Sequence, residues 1–166
     1  MLYVLLLIAT VAFDQWLKYW TVTTLELGES APFIPHIMQL TRLHNYGAAW
    51  SSLSGKTVFL VAMTAVLLLG VTVLLLKRIV RHPLGVVSCI LILGGGIGNM
   101  IDRVLLGYVI DFLDFTLINF AVFNVADCFV TVGAFLLIAY LIRDILRDLR
   151  APKHTVDTEE NGHDGQ

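Results

Sequence analysis

Four long apolar runs alternate with polar segments along the chain. They cover residues 2–20, 57–76, 84–101 and 123–142. A helix needs about 20 apolar residues to cross the hydrocarbon core of a bilayer. We therefore expect an all-α membrane protein with four transmembrane helices, which form a single integral membrane domain over residues 1–150.

The polar segment between the first two runs, residues 21–56, has a different pattern. It mixes Gly and Pro with alternating apolar and polar positions, as in IMQLTRL at residues 37–43. Such alternation is typical of strands and predicts a small β-like platform between helices 1 and 2. The polar tail at residues 151–166 is predicted to be disordered.

The first run is predicted to be a retained helix rather than a cleaved signal peptide. It has no basic start, and Asp14, Gln15 and Lys18 stand where a cleavage site would need small residues.

Basic residues mark one side of the membrane. Seven of the eleven Lys and Arg residues lie between runs two and three or after run four. Because short cytoplasmic loops are enriched in Lys and Arg, both termini are expected in the cytoplasm. Residues 21–56 and the link at residues 102–122 then face outward. The seven basic residues are Lys77, Arg78, Arg81, Arg143, Arg147, Arg150 and Lys153.

The composition agrees with a membrane protein. Hydrophobic residues make up 57% of the chain and charged residues 14%, whereas a soluble domain carries about 25% charged residues. The net charge of −2 gives no indication of a nucleic-acid partner. Cys89 and Cys128 lie inside apolar runs and the five histidines are scattered, so we expect no disulfide framework and no metal site.

Polar side chains gather near the outward ends of the runs. Two helices each carry an amide and a carboxylate three residues apart, hence on one face. Any one of these residues alone could be an ordinary cap or interfacial residue, but ionisable groups at membrane depth are functional candidates. Together they favour a polar pocket that opens outward. The set comprises Asp14, Asn45, Asn99, Asp102, Arg103, Asp111, Asp114, Asn124 and Asp127.

The chemistry of this pocket is left open by spacing alone. The chain has no HExxH pattern and no Ser–His–Asp arrangement at this depth, and GGGIGN is expected to be a helix-packing surface. One option is a carboxylate pair that shares a proton and activates water for peptide hydrolysis. Another is a proton or cation relay in a transporter, and a third is a non-catalytic assembly factor. Judged by depth alone, Asp102 is as good a candidate for a member of the carboxylate pair as Asp111 or Asp127.

Five motifs resemble the lipoprotein signal peptidase (signal peptidase II) family. They are DQWLK at 14–18, NYGAAWS at 45–51, GGGIGNMIDR at 94–103, VIDF at 109–112 and FNVAD at 123–127. The resemblance covers residues 11–142 in the family's order. Two departures are small: Trp50 stands where the family often has Phe, and Gly96 where it often has Ala.

The resemblance implies an intramembrane aspartic endopeptidase of the bacterial cytoplasmic membrane. It would cleave signal peptides from diacylglyceryl-modified prolipoproteins just before the lipidated cysteine, without metal or cofactor, and we expect a monomer that contacts membrane lipid. The family pattern implies Asp111 and Asp127 as the catalytic pair. Supporting or substrate-binding residues would be Asp14, Lys18, Asn45, Gly47, Asn99, Asp102, Arg103, Asn124 and Ala126.

The main alternative is a small proton-coupled transporter that uses the buried aspartates. It would be expected to place polar residues along the full depth of a pathway or to show inverted repeats. The inner halves of runs two and four are apolar, and no repeat is visible.

Overall fold

A computed structural model of the chain contains four long helices and a small antiparallel sheet. It describes residues 1–47, 55–118 and 120–150, without the side chains of residues 148 and 150. The predicted tail and part of the NYGAAWS motif lie outside these residues. In chain order the elements are α1 (Leu2–Thr24), β1 (Ser30–Ile34), β2 (Met38–Asn45), α2 (Thr57–Leu76), α3 (Pro83–Leu105), β3 (Val109–Phe115) and α4 (Val125–Arg150).

The predicted four-span architecture is confirmed. Each helix is long and apolar enough to cross a membrane. Three helices extend beyond their apolar runs, because polar and charged side chains lower the hydropathy of a segment without ending a helix. Thus α3 continues through Asp102 and Arg103, and α4 continues to Arg150. At its other end α3 begins with Pro83 after His82, whose side chain accepts the Leu84 N–H.

Helix α3 is the centre of the bundle. In its most apolar stretch 56% of residues are buried, compared with 17% in each of the other helices. Its glycines permit close approach, as expected for small residues between membrane helices. A Cβ at Gly95 would strike the Ala126 carbonyl oxygen of α4, and one at Gly98 would strike the Asp14 carboxylate of α1.

The sheet confirms the predicted β platform and adds one strand to it. Its order is β1-β2-β3, with both pairs antiparallel. The added strand, β3, lies in the link at residues 102–122, where the sequence pattern did not predict a strand. The backbone N–H groups of Phe112 and Leu113 donate to the Phe123 carbonyl, which lies two residues before α4. This junction holds β3 beside the beginning of α4.

Candidate active site

The two aspartates expected to form a pair lie where β3 meets α4. Asp111 is buried in the middle of β3, opposite Leu43 of β2. Asp127 is half-buried in the first turn of α4. They come from different elements, and the hydrogen bonds between β3 and Phe123 bring those elements together.

Asp127 is held by a reciprocal cap at the start of α4. Asn124 donates its backbone N–H to Asp127 Oδ2 at 3.1 Å, and its Oδ1 accepts the Asp127 N–H at 3.1 Å. This is the arrangement of a capping box, with Asn and Asp in place of Ser and Glu. The stretch FNVAD therefore fixes the Asp127 carboxylate relative to the helix end.

The side chain of Asn124 also connects Asp127 to Asp111. Its Nδ2 donates to Asp111 Oδ1 at 2.7 Å and to Asn99 Oδ1 at 3.0 Å. Asn124 is fully buried, so its amide is shielded from solvent and depends on these protein partners for its hydrogen bonds. A single residue thus holds one carboxylate with its backbone and the other with its side chain.

Two further amides hold the remaining carboxylate oxygens. Asn45 Nδ2 donates to Asp111 Oδ2 at 2.8 Å, and Asn99 Nδ2 donates to Asp127 Oδ1 at 2.8 Å. Each of the four carboxylate oxygens therefore accepts a hydrogen bond from the protein. Fixed donors of this kind hold the carboxyl groups in one orientation before any substrate arrives.

A buried lysine supports this pair from α1. Lys18 is 1% exposed, and its Nζ lies 2.9 Å from Asp14 Oδ2 and 3.0 Å from Asp102 Oδ2. It also donates to Asn99 Oδ1 at 2.9 Å, which connects it to the amide that holds Asp127. Buried charges require such partners, because an unpaired ion would be very costly away from water.

The same network joins the elements around it. Asp14 Oδ1 accepts the Ala126 N–H of α4 at 3.0 Å, and Asp102 Oδ2 accepts the Ile110 N–H of β3 at 3.2 Å. Gln15 donates to Asp14, to Asp102 and to the Gly98 carbonyl. We did not single out Gln15 from the sequence, although a polar amide next to Asp14 in an apolar run was a signal for it.

Arg103 fastens the end of β2 to α3. Its Nη2 donates to the Gly47 carbonyl at 2.9 Å, and the Gly47 N–H donates to Asn45 Oδ1 at 2.9 Å. These two contacts hold Asn45, which donates to Asp111. All eleven expected site residues therefore belong to one connected network.

Asp114 lies outside that network. Its Oδ2 accepts hydrogen bonds from Gln39 at 2.7 Å and Thr41 at 3.0 Å, both on β2. It shares β3 with Asp111 but braces the sheet.

A cavity of about 770 Å³ opens beside the two aspartates. Asp111 and Asp127 line it, whereas the 2% exposed Asp102 does not appear in its lining. Its apolar wall follows α2 from Leu60 to Leu68, about 12 Å at the rise of an α-helix. Asn45, Asn99, Arg103 and Phe123 are among the other lining residues. The cavity suits a ligand with a polar part beside the carboxyl groups and an apolar part between the helices.

Burial, and after it the negative charge of nearby Asp127, raise the pKa of Asp111 to about 7. Hydrogen bonds from Asn45 and Asn124 and the charge of Lys18 oppose this rise in pKa. Two neighbouring carboxylates resist being ionised together. Asp111 therefore retains a proton at pH values where an exposed aspartate has lost it.

No group of three or more His, Cys, Asp or Glu side chains is arranged to hold a metal ion in the part of the chain that the structure describes.

The chain has relatives both among known sequences and among solved structures. The profile of a family described as signal peptidase (SPase) II matches residues 6–143. Lipoprotein signal peptidases from Enterococcus faecalis and Brevibacillus brevis are 44% and 41% identical to the chain, respectively. The alignments cover 86% and 89% of this chain and 88% and 97% of those proteins.

Two solved structures of bacterial membrane enzymes, both obtained by the in meso method, have the same fold. One superposes with a TM-score of 0.84 at 35% identity and covers 93% of each chain. The other has a TM-score of 0.78 at 38% identity and covers 86% of this chain and 93% of its own.

Proposed function

Because the chain belongs to the signal peptidase II family, we propose that it is an aspartic endopeptidase with Asp111 and Asp127 as its catalytic pair. Its substrates are diacylglyceryl-modified prolipoproteins, and it cleaves just before the lipidated cysteine. The observation that carries this proposal is that both carboxyl groups line one cavity and are both held by Asn124.

The reaction begins with a water molecule between the two carboxyl groups, which together hold one proton. The ionised carboxylate takes a proton from the water as its oxygen attacks the scissile carbonyl carbon. The protonated carboxyl gives its proton to the carbonyl oxygen, which forms a tetrahedral diol. When the C–N bond breaks, the carboxyl proton passes to the leaving nitrogen. The ionised carboxylate takes a proton from one hydroxyl of the diol, which becomes the carbonyl of the new carboxyl end, so the pair again holds one proton.

The surrounding residues position this pair. The amides of Asn45, Asn99 and Asn124 each donate to a carboxylate oxygen, so the carboxyl groups keep their orientation while protons move. Lys18 contributes a buried positive charge near the pair. Preorganised donors and charges lower the reorganisation that the reaction requires.

The membrane location follows from the substrate. A diacylglyceryl cysteine stays anchored in the outer leaflet, so its scissile bond lies near the bilayer surface. The apolar wall along α2 can accept a lipid chain while the peptide passes the carboxyl groups. We accordingly propose that the site faces outward, that both termini are cytoplasmic and that the enzyme acts as a monomer.

Cleavage of a lipidated precursor peptide by the purified protein in detergent tests this function. We expect cleavage before the modified cysteine, and loss of cleavage for the same peptide without its diacylglyceryl group. Equal cleavage of both peptides would contradict recognition of the lipid. No cleavage of either peptide by folded protein would contradict the proposed activity.

A further inference from the structure

A second cavity lies at the other end of the helix bundle. It has a volume of about 680 Å³ and is formed by the first turn of α1, the end of α2 and the first turns of α3. We call it the basal groove. The lining residues used below are Leu75, Arg78, Arg81, Val86 and Ile90.

Arg78 occupies an unusual backbone position in this groove. After α2 ends at Leu76, the Arg78 N–H donates to the Leu75 carbonyl and the Ile79 N–H donates to the Leu74 carbonyl, both at 3.0 Å. This is a Schellman motif, in which the residue at the Arg78 position is usually glycine. Arg78 adopts φ 53°, a left-handed conformation that bulky residues rarely take. Glycine would close the helix here with less strain, so the arginine side chain is a candidate for a functional role.

Arg81 adds a second guanidinium to the same cavity. Its Nε donates to the Arg78 carbonyl at 2.9 Å, which fixes the turn between the two arginines. Both side chains are exposed and both line the groove, and none of its described lining residues is acidic. The remaining wall includes Leu75, Val86 and Ile90, which are apolar. A ligand that matches this lining carries negative charge on an apolar body.

We propose that the basal groove binds an anionic phospholipid of the adjoining membrane leaflet. The headgroup phosphate lies between the guanidinium groups of Arg78 and Arg81, and an acyl chain follows the apolar wall formed with Leu75, Val86 and Ile90. Arginine suits phosphate because its planar fork donates two parallel hydrogen bonds. Basic pockets between membrane helices are a known way of holding anionic headgroups.

Native mass spectrometry of the full-length protein tests this assignment without relying on catalysis. The protein is released from detergent after equilibration with equal amounts of phosphatidylglycerol and phosphatidylcholine that have the same acyl chains. Wild-type protein should retain phosphatidylglycerol preferentially. Arg78→Gly should reduce that preference about fivefold, the effect of one basic residue near an anionic surface. Filling the groove with Val86→Phe should lower retention of both lipids.

Lys77→Ala is the matched control. Lys77 is exposed, precedes Arg78 directly and is not among the residues that line the groove. The Lys77→Ala variant removes one positive charge from the same turn but not from the groove, so it should leave the preference for phosphatidylglycerol intact. If Lys77→Ala and Arg78→Gly reduce the lipid preference equally, the preference comes from general surface charge and the proposed site is wrong.

Three further results would also overturn the proposal. They are no lipid preference in the wild type, an unchanged preference in Arg78→Gly, and complete displacement of the lipid by inorganic phosphate. Thermal unfolding verifies that Arg78→Gly is folded. If it is not, Arg78→Asn replaces it in the same comparison, because Asn also tolerates the left-handed conformation.

Discussion

At the scale of single residues, Asn124 has three simultaneous tasks. It caps α4 with its backbone and side chain, donates to Asp111 and donates to Asn99. Because both carboxylates depend on the same residue, the position of one is tied to the position of the other. This coupling leads us to expect that the pair behaves as one unit.

Asp111→Asn and Asp127→Asn should each remove nearly all cleavage. Asn preserves side-chain volume, so the fold should survive while the shared proton is lost. Residues that act as a unit are strongly non-additive, so the double variant should be little worse than either single variant. Single-turnover cleavage of the lipidated peptide measures all three variants.

Asp114→Asn is the control for these variants, because Asp114 lies on the same strand but braces the sheet. It should cleave at close to the wild-type rate. If either Asp111→Asn or Asp127→Asn keeps about a tenth of the activity, a loss of only about 1.4 kcal/mol of transition-state stabilisation, the pair is wrongly assigned. Asp102 is then the next candidate partner.

The cleavage rate should fall as pH rises through about 7. The pKa of Asp111 is raised to about 7, so the pair keeps its proton below this pH and loses it above. Asn45 donates to Asp111 and lowers its pKa. Asn45→Ala should therefore move the alkaline limb of the pH–rate profile to higher pH. The apparent pKa read from such a limb belongs to the pair of carboxyl groups rather than to Asp111 alone. A limb that stays in place or moves to lower pH would contradict this role for Asn45.

The candidate site residues could be chosen from the sequence, but their contacts could not. Helical spacing correctly put Asn99 and Asp102 on α3, but it could not show that Lys18 lies between Asp14 and Asp102. That contact depends on how α1 and α3 pack, which is not encoded in either helix alone. Depth along the sequence made Asp102, Asp111 and Asp127 equal candidates for a carboxylate pair. The cavity distinguishes them, because Asp111 and Asp127 line it and Asp102 does not.

At the scale of elements, β3 was the principal omission. Its sequence VIDFLDF has the β-branched and aromatic composition of a strand, but its partner β2 is more than 60 positions earlier in the chain. Strand pairing over such a separation leaves no local signal beyond composition. The helices were predictable because 20 consecutive apolar residues suffice to identify a membrane span.

Asp14 connects α1 to α4, because its Oδ1 accepts the Ala126 N–H and its Oδ2 pairs with Lys18. Asp14→Ala should lower thermal stability together with activity, since a lost buried hydrogen bond costs about 1–3 kcal/mol. Asp14→Asn keeps an acceptor for Ala126 and should be less destabilising. Thermal unfolding and cleavage are measured together. Unchanged stability with abolished turnover would place Asp14 in the chemistry instead.

Gly95 sets the distance between α3 and α4. A Cβ there would meet the Ala126 carbonyl oxygen, which is backbone and cannot rotate away. Gly95→Ala should therefore destabilise the bundle by about 1–3 kcal/mol, as overpacking does, and should disturb the neighbouring Asp127. Gly70→Ala is the control, because a Cβ at Gly70 meets nothing within 4 Å. Equal unfolding temperatures for the two variants would contradict a close-packing role for Gly95.

At the scale of the whole molecule, the two ends of the bundle differ in chemistry. One end holds the network around Asp111 and Asp127, and the other holds the turn from Lys77 to Arg81. Helix α3 runs between them, with the basal groove at its first turns and the carboxylate network at its last. If the basic end is cytoplasmic, the proposed active site faces outward.

This orientation predicts the behaviour of reporters at two positions. A fluorescent protein fused after Arg150 should fold in the cytoplasm and fluoresce. An alkaline phosphatase fused after Gly28, in the exposed turn between α1 and β1, should be active because that enzyme requires an oxidising compartment. The reciprocal fusions, with the two reporters exchanged, should both be inactive. The opposite pattern at both positions would invert the topology and place the carboxylate pair on the cytoplasmic side, where a substrate anchored in the outer leaflet cannot reach it.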